Sequence, residues 1–172
     1  MALHQFIVEY QQHWLDNFAK IASELKLILP NDCIIHHVGS TSITGMVAKD
    51  IIDIDIEFSS STLDVIISKL EIIGYKHKGD LGILGREAFD CIDESICSSF
   101  HLHHLYVCPS DSPELKRHLA FRNYLRANPE RAEWLKEMKI KCDHLASSRA
   151  DYIERKAEYY AIINSEARFY IN

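Results

Sequence analysis

The segment Ile51–Phe58, IIDIDIEF, constrains the fold of this chain more tightly than any other stretch. Ile52, Ile54, Ile56 and Phe58 alternate with Asp53, Asp55 and Glu57. A period of two predicts a β-strand with its apolar residues on one face and three carboxylates on the other. Aspartate is depleted in strands, and two aspartates one pleat apart repel each other in the absence of a counter-cation. One resolution is an antiparallel strand whose outer face is half-exposed and simply polar. The other is a hard divalent cation held by Asp53 and Asp55, because Mg²⁺ takes oxygen ligands from one or two carboxylates together with substrate phosphates.

The remaining pattern is read around that strand. Residues from about Val8 to Leu29 have helical spacing, with Phe6, Tyr10, Trp14, Phe18, Ile21, Leu25 and Ile28 on a drifting apolar stripe, and Pro30-Asn31 ends it. CIIHHV, residues 33–38, predicts a strand running into Gly39. Ser59-Ser60-Ser61 offers N-caps for a helix through Ile73, and Gly74 suits its stop. The glycine-punctuated stretch 75–93 predicts short strands or a hairpin, and FHLHHLYVC, residues 100–108, a further strand. Ser112-Pro113 and Asn128-Pro129 each open a helix with proline in its first turn, and a last helix covers roughly Arg149 to Phe169. The expected fold is α+β: one mixed sheet with flanking helices, a helical C-terminal third, and a single domain over residues 1–172. The strands at 51–58 and 101–108 are expected to be neighbours.

Gly39-Ser40-Thr41-Ser42 follows a predicted strand and is rich in groups that hydrogen-bond an anion. If a helix starts there, its free N–H groups and dipole favour a phosphate, and the hydroxyls add donors. The same residues also serve as an ordinary turn and cap. A phosphate-binding turn close in sequence to Asp-x-Asp is an arrangement for metal-assisted phosphoryl transfer. Arg86 sits on a glycine-rich element, where a guanidinium clamps phosphates bidentately or pairs with Glu87. Arg122 and Arg126 share one helix face, as do Tyr152 and Lys156, and such rows are commonly solvated surface. Phe121, Tyr124 and Leu125 read as core.

These residues carry a resemblance. A strand ending in Gly-Ser, a short helix and an Asp-x-Asp flanked by apolar residues resembles the nucleotidyltransferase superfamily. More narrowly, HVGSTSITGMVAKDIIDIDI, GILGREAF, HHLYVC and LAFRNYLRANPE, in that order, resemble the GrpB family across nearly the whole chain. The resemblance implies a nucleotidyltransferase fold in which Asp53 and Asp55 ligate Mg²⁺, with Mn²⁺ as a substitute. It implies a nucleotide-binding set of Gly39, Ser40, Thr41, Lys49, Arg86, Arg122 and Lys156. The chain departs from the family pattern at Thr44-Gly45, where Pro-Gly is usual, at Lys49-Asp50, where Lys-Pro is usual, and at Asn123, where Asp is favoured.

Catalytic nucleotidyltransferases generally carry a third carboxylate on a neighbouring strand. Here that strand reads HLHHLYV and offers His103 and His104 instead, each either a base or metal ligand or a histidine bonded to backbone. Glu57 lies on the carboxylate face but two residues further along. The expected function is transfer of a nucleotidyl group from a nucleoside triphosphate to a hydroxyl acceptor of unknown identity, small or macromolecular. The alternatives are an inactive nucleotide-binding module of the same fold and a metal-dependent phosphohydrolase built on histidine and aspartate.

Composition narrows the partners. A formal net charge of -6 argues against generic nucleic-acid binding, where a basic surface supplies most of the affinity. No apolar run approaches the ~18 residues that span a bilayer, and the first residues lack a basic segment followed by an apolar one, so neither a membrane span nor a secretory leader is expected. Five scattered cysteines without a C-x-x-C pair fit reduced thiols in a cytoplasmic protein.

Overall fold

Alternation along residues 52–58 yields an interior strand, second in a five-stranded mixed sheet of order β1-β2-β5-β4-β3. The computed structural model describes residues 4–170, apart from the side chains of residues 94 and 97. The strands are β1 (Ile34–Val38), β2 (Ile52–Phe58), β3 (Tyr75–His77), β4 (Glu87–Cys91) and β5 (His103–Pro109). The helices are α1 (His13–Ile28), α2 (Leu63–Ile72), α3 (Glu94–Cys97), α4 (Pro113–Ala127), α5 (Pro129–Leu145) and α6 (Arg149–Ala167). β2 runs parallel to β5 and antiparallel to β1, while β4 is antiparallel to both β3 and β5. The expected α+β class, the neighbouring 51–58 and 101–108 strands and the helical C-terminal third are all present.

The chain forms two compact units. The sheet unit holds Gln12–Val38 and Ile51–Lys116, and the helical unit holds Met1–Gln11, Gly39–Asp50 and Arg117–Asn172. In the sheet unit, Ile52, Ile54 and Ile56 are wholly buried with Leu105 and Val107, and Trp14, Ile21 and Leu25 of α1 and Ile66 and Leu70 of α2 are buried as well. That apolar face is what the alternation in β2 encodes. In the helical unit, Ile43, Met46, Phe121, Leu125, Leu135 and Ile163 form one core cluster. Ile7, Val47, Cys142 and Tyr152 form another.

Several boundaries differ from the sequence reading for local reasons. α1 starts at His13 and not near Val8, because Val8 exchanges backbone hydrogen bonds with Ala48 and is held extended. The helix stops where expected: Leu29 precedes a proline and is extended, with ψ 153°. Ser59–Ser61 do not cap α2; its N-cap is Thr62. Their three N–H groups instead donate to one oxygen of the Asp32 carboxylate, at 3.1, 2.8 and 3.0 Å, and the Ser61 hydroxyl donates to the other. Gly74 ends that region at φ +93°, and a Cβ there would lie 2.3 Å from that of Asp93, so glycine is required on both counts. Ser148 caps α6 by accepting the Asp151 N–H.

Cys91 is disulfide-bonded, contrary to the expectation of thiols throughout, whereas Cys33, Cys108 and Cys142 are free. The expectation for Cys97 falls on a side chain outside the described set, as does the leader reading for residues 1–3. Among the described residues no helix is long and apolar enough to cross a membrane.

The serine contacts, the Ser61 hydroxyl first, hold the Asp32 carboxyl well below the usual carboxylate range. A depressed carboxylate contributes stability that is present above its ordinary pKa and lost as pH falls through the folded value. Asp32→Asn is therefore expected to lower the melting temperature at about pH 7, with the gap from wild type narrowing steadily as pH falls below about 4. Thermal unfolding across that range checks it, and a gap independent of pH would contradict it.

Candidate functional site

Strand register assembles the carboxylate face. Asp53 pairs with Val38 on one side and His104 on the other. Asp55 pairs with His36 and Tyr106, and Tyr106 in turn with Ala88. Glu57 pairs with Ile34 and Cys108. Paired residues project to the same side of a sheet, so Asp53, Asp55 and Glu57 share a face with His36, His104 and Tyr106.

The face is less open than a solvated polar strand. Asp55 is wholly buried, and the Asp53 side chain is 34% exposed. His104 Nδ1 lies 2.9 Å from Asp53 Oδ1, and His36 Nε2 lies 2.8 Å from Glu57 Oε2. An ionised carboxylate only accepts, so each imidazole donates. Glu57 is thus engaged by His36 and Asp53 by His104, with the buried Asp55 between them on the strand. The guanidinium of Arg86 stacks on the Tyr106 ring at 4.2 Å, which brings a positive charge to the strand position paired with Asp55. Glu87 does not pair with Arg86; it binds His77 Nε2 at 2.7 Å. Burial, reinforced by the Asp55 charge, pushes the Cys108 thiol up to about 12, so it is not a ready nucleophile.

The two candidate histidines of β5 part company, as adjacent strand residues must. His104 faces Asp53. His103 faces the other way, hydrogen-bonded to the Tyr75 hydroxyl at 2.7 Å and to the His101 carbonyl at 2.8 Å. Burial holds its pKa below the ordinary histidine value. The structure therefore sets His104, and not His103, beside the carboxylates. Among the described residues of β5 the face carries His104, Tyr106 and Cys108 and no acid.

A second group lies in the helical unit. Gly39, at φ +71°, leads into a short 3-10 turn at Ser40–Ser42, whose Thr41 and Ser42 are buried. Arg126 clamps the Ser42 carbonyl with Nε at 3.1 Å and Nη2 at 2.9 Å, which makes it a support of the turn. The Ser40 hydroxyl is 2.8 Å from the Tyr160 hydroxyl and receives a hydrogen bond from Lys139 Nζ, also at 2.8 Å. Lys139 donates to the Val47 carbonyl as well and is only 2% exposed. Lys156 Nζ stands 4.6 Å from the Tyr160 ring centroid. Two ammonium groups are thereby gathered around the Ser40–Tyr160 pair. Lys49 is half-buried just before Asp50, and Arg122 Nε donates to Asn123 Oδ1 at 3.0 Å.

Sequence reasoning missed Lys139 and His36. Lys139 lies in KEMKIKC, which has the look of a solvated charged helix face, and nothing local marks it as buried. His36 reads locally as one residue of a strand; its place opposite Asp55 follows from register.

A family model described as GrpB protein matches residues 5–166. UPF0157 protein YqkA of Bacillus subtilis (strain 168) is 34% identical over 168 residues, covering 94% of this chain and 47% of that protein, so the chain spans about half the length of this relative. The crystal structure of conserved protein GrpB from Enterococcus faecalis superposes with a TM-score of 0.78 at 32% identity, covering 95% of this chain and 97% of that one. The Cid1 poly(U) polymerase, in a structure with MgGTP bound, has a TM-score of 0.52 at 14% identity over 79% of this chain and 43% of its own, a likeness of fold.

If His103 is structural, His103→Phe leaves the Tyr75 hydroxyl, 2% exposed, without its partner. The expected cost is about 1–3 kcal/mol in urea unfolding. Ligand binding should be unchanged; a variant that binds nucleotide more weakly at unaltered stability would contradict this.

Proposed function

The chain belongs to the GrpB family, and from that premise we propose that it is a Mg²⁺-dependent nucleotidyltransferase acting on a nucleoside triphosphate and a hydroxyl acceptor. The single observation that carries the reading is the row Asp53–His104 beside the buried Asp55, with the Arg86 guanidinium on the same sheet. The MgGTP bound to Cid1 supports the substrate class on the shared fold. Two carboxylates one pleat apart form an oxygen donor set that fits a hard divalent cation, Mg²⁺ or Mn²⁺, held by Asp53 and Asp55. When bound, such an ion neutralises charge on the phosphates and acts as a Lewis acid.

The chain's own groups supply the rest. His104 donates through Nδ1 to Asp53, which leaves Nε2 to accept a proton. In the proposed reaction the acceptor hydroxyl oxygen bonds the α-phosphorus, its proton passes to His104 Nε2, and the bond to the β-phosphate oxygen breaks to release pyrophosphate. His104 thereby takes the place of the third carboxylate as general base. Arg86 offers a planar donor fork to phosphate oxygens. Within the helical unit, Gly39, Ser40 and the turn N–H groups are assigned to phosphate binding, with Lys139 and Lys156 as the positive background. Thr41, being buried, holds the turn, and Lys49 and Arg122 are assigned to the nucleotide from the family pattern.

One observation favours a second reading, a nucleotide-binding module without turnover: β5 presents no acid on this face, and Asp53 already has an imidazole partner. The phosphohydrolase reading draws on His104 alone, since His103 is turned away.

Pyrophosphate release with a library of hydroxyl acceptors separates the readings. His104→Gln is expected to lower turnover by roughly 10²–10⁴-fold while nucleotide binding persists. Asp53→Asn and Asp55→Asn should abolish the Mg²⁺-dependent rise in stability with nucleotide, roughly 2.7 kcal/mol at ~100 times Kd. Asp53→Asn should leave the protein in EDTA as stable as wild type. Binding without release across the library would favour the inactive module. Nucleotide binding that survives both aspartate changes would remove the metal centre from the account.

A further inference from the structure

His4, Asp143 and His144 each bring one ligand atom to within 4.8 Å of the others. All three lie in the helical unit, His4 on the N-terminal segment and the other two in the last turn of α5. The Asp143 carboxylate is wholly buried and accepts the backbone N–H groups of Gln5, at 2.8 Å, and Phe6, at 2.7 Å. The two hydrogen bonds fix the orientation of the carboxylate.

His4 is held in one tautomer. Its Nε2 is 3.0 Å from Glu9 Oε1, and a carboxylate can only accept, so Nε2 carries the proton. In the neutral ring Nδ1 then presents a lone pair. That atom is buried and makes no hydrogen bond. Asp143 Oδ2 stands 3.7 Å from it, beyond hydrogen-bonding range. Two acceptor atoms facing each other at that distance repel unless a cation lies between them. Two ligands sharing a tetrahedral ion at about 2.0–2.1 Å stand roughly 3.3–3.5 Å apart, close to what is found. The His144 ring stacks near His4, with centroids 6.1 Å apart and planes 19° apart, and supplies a second imidazole.

We infer that His4, Asp143 and His144 form a binding site for a borderline divalent transition-metal ion, of which Zn²⁺ is the representative. Two imidazoles and a carboxylate suit such an ion and not Mg²⁺. Glu9 is the outer carboxylate that orients a ligating histidine. The exposed His144 side leaves the remaining coordination position to water. The bound ion would fasten the N-terminal segment to the end of α5, independently of the sheet carboxylates. The competing account is a doubly protonated His4 that pairs with Asp143 and binds nothing.

The test is calorimetric titration of the EDTA-dialysed protein with Zn²⁺, together with thermal unfolding. Wild type is expected to bind one equivalent at this site and to gain ~5–10 °C in Tm at ~100 times Kd. His4→Phe keeps the ring volume and removes the ligand, and His144→Ala alters an exposed residue; each should lose one equivalent and that gain. His144→Ala carries the test alone if His4→Phe does not fold. Glu137→Gln, a change at an exposed residue elsewhere on α5, should keep both. Unchanged Zn²⁺ stoichiometry and stabilisation in His144→Ala, or no Zn²⁺ binding by wild type, would overturn the site.

Discussion

The parallel pairing of β2 with β5 is the constraint on which the sheet unit depends. It sets Ile54 against Leu105 and Ile56 against Val107 on the buried face, all nearly or fully inaccessible. The same register sets Asp53 against His104 and Asp55 against Tyr106 on the other. A slip of one residue would drive the aspartates into the apolar core and bring the isoleucines out, so packing and chemistry are fixed by one choice. The hydrophobic face therefore aligns the polar one.

Asp55 shows what this alignment achieves. A buried carboxylate is costly unless its charge is met by partners or by a cation. Its strand neighbours are His36 and Tyr106, with Arg86 stacked on the latter. The Tyr106 hydroxyl feels these opposing influences: burial raises its pKa, Arg86 lowers it, and Asp53 and Asp55 raise it. Flanking imidazoles meanwhile hold Asp53 and Glu57. Two of the three like charges of β2 thus meet imidazoles on its neighbouring strands, Glu57 at His36 of β1 and Asp53 at His104 of β5. In the helical unit the logic is reversed. A chain of net charge -6 places a buried lysine behind a serine hydroxyl, where it donates to Ser40 and to the Val47 carbonyl.

Much of this was legible in residue order, where local periodicity governs. The alternation of IIDIDIEF, the stops at Pro30 and Gly74 and the prolines opening α4 and α5 all act within a few residues. What was not legible depends on register or on contacts distant in sequence. Adjacent His103 and His104 were equal candidates until strand geometry put them on opposite faces. Ser59–Ser61 resembled a cap because serines commonly are one, but Asp32, 27 to 29 residues earlier, took their N–H groups. Lys139 contacts Ser40 from 99 positions away, and no window along the chain contains both.

The central claim is that Asp53 and Asp55 hold a divalent ion, and crystals grown with Mn²⁺ and a non-hydrolysable nucleoside triphosphate test it most directly. The account predicts one anomalous peak at about 2.0–2.2 Å from a carboxylate oxygen of each aspartate, with nucleotide phosphate oxygens completing the shell. Nucleotide bound with no Mn²⁺ at either aspartate, and the His104–Asp53 hydrogen bond unaltered, would contradict it.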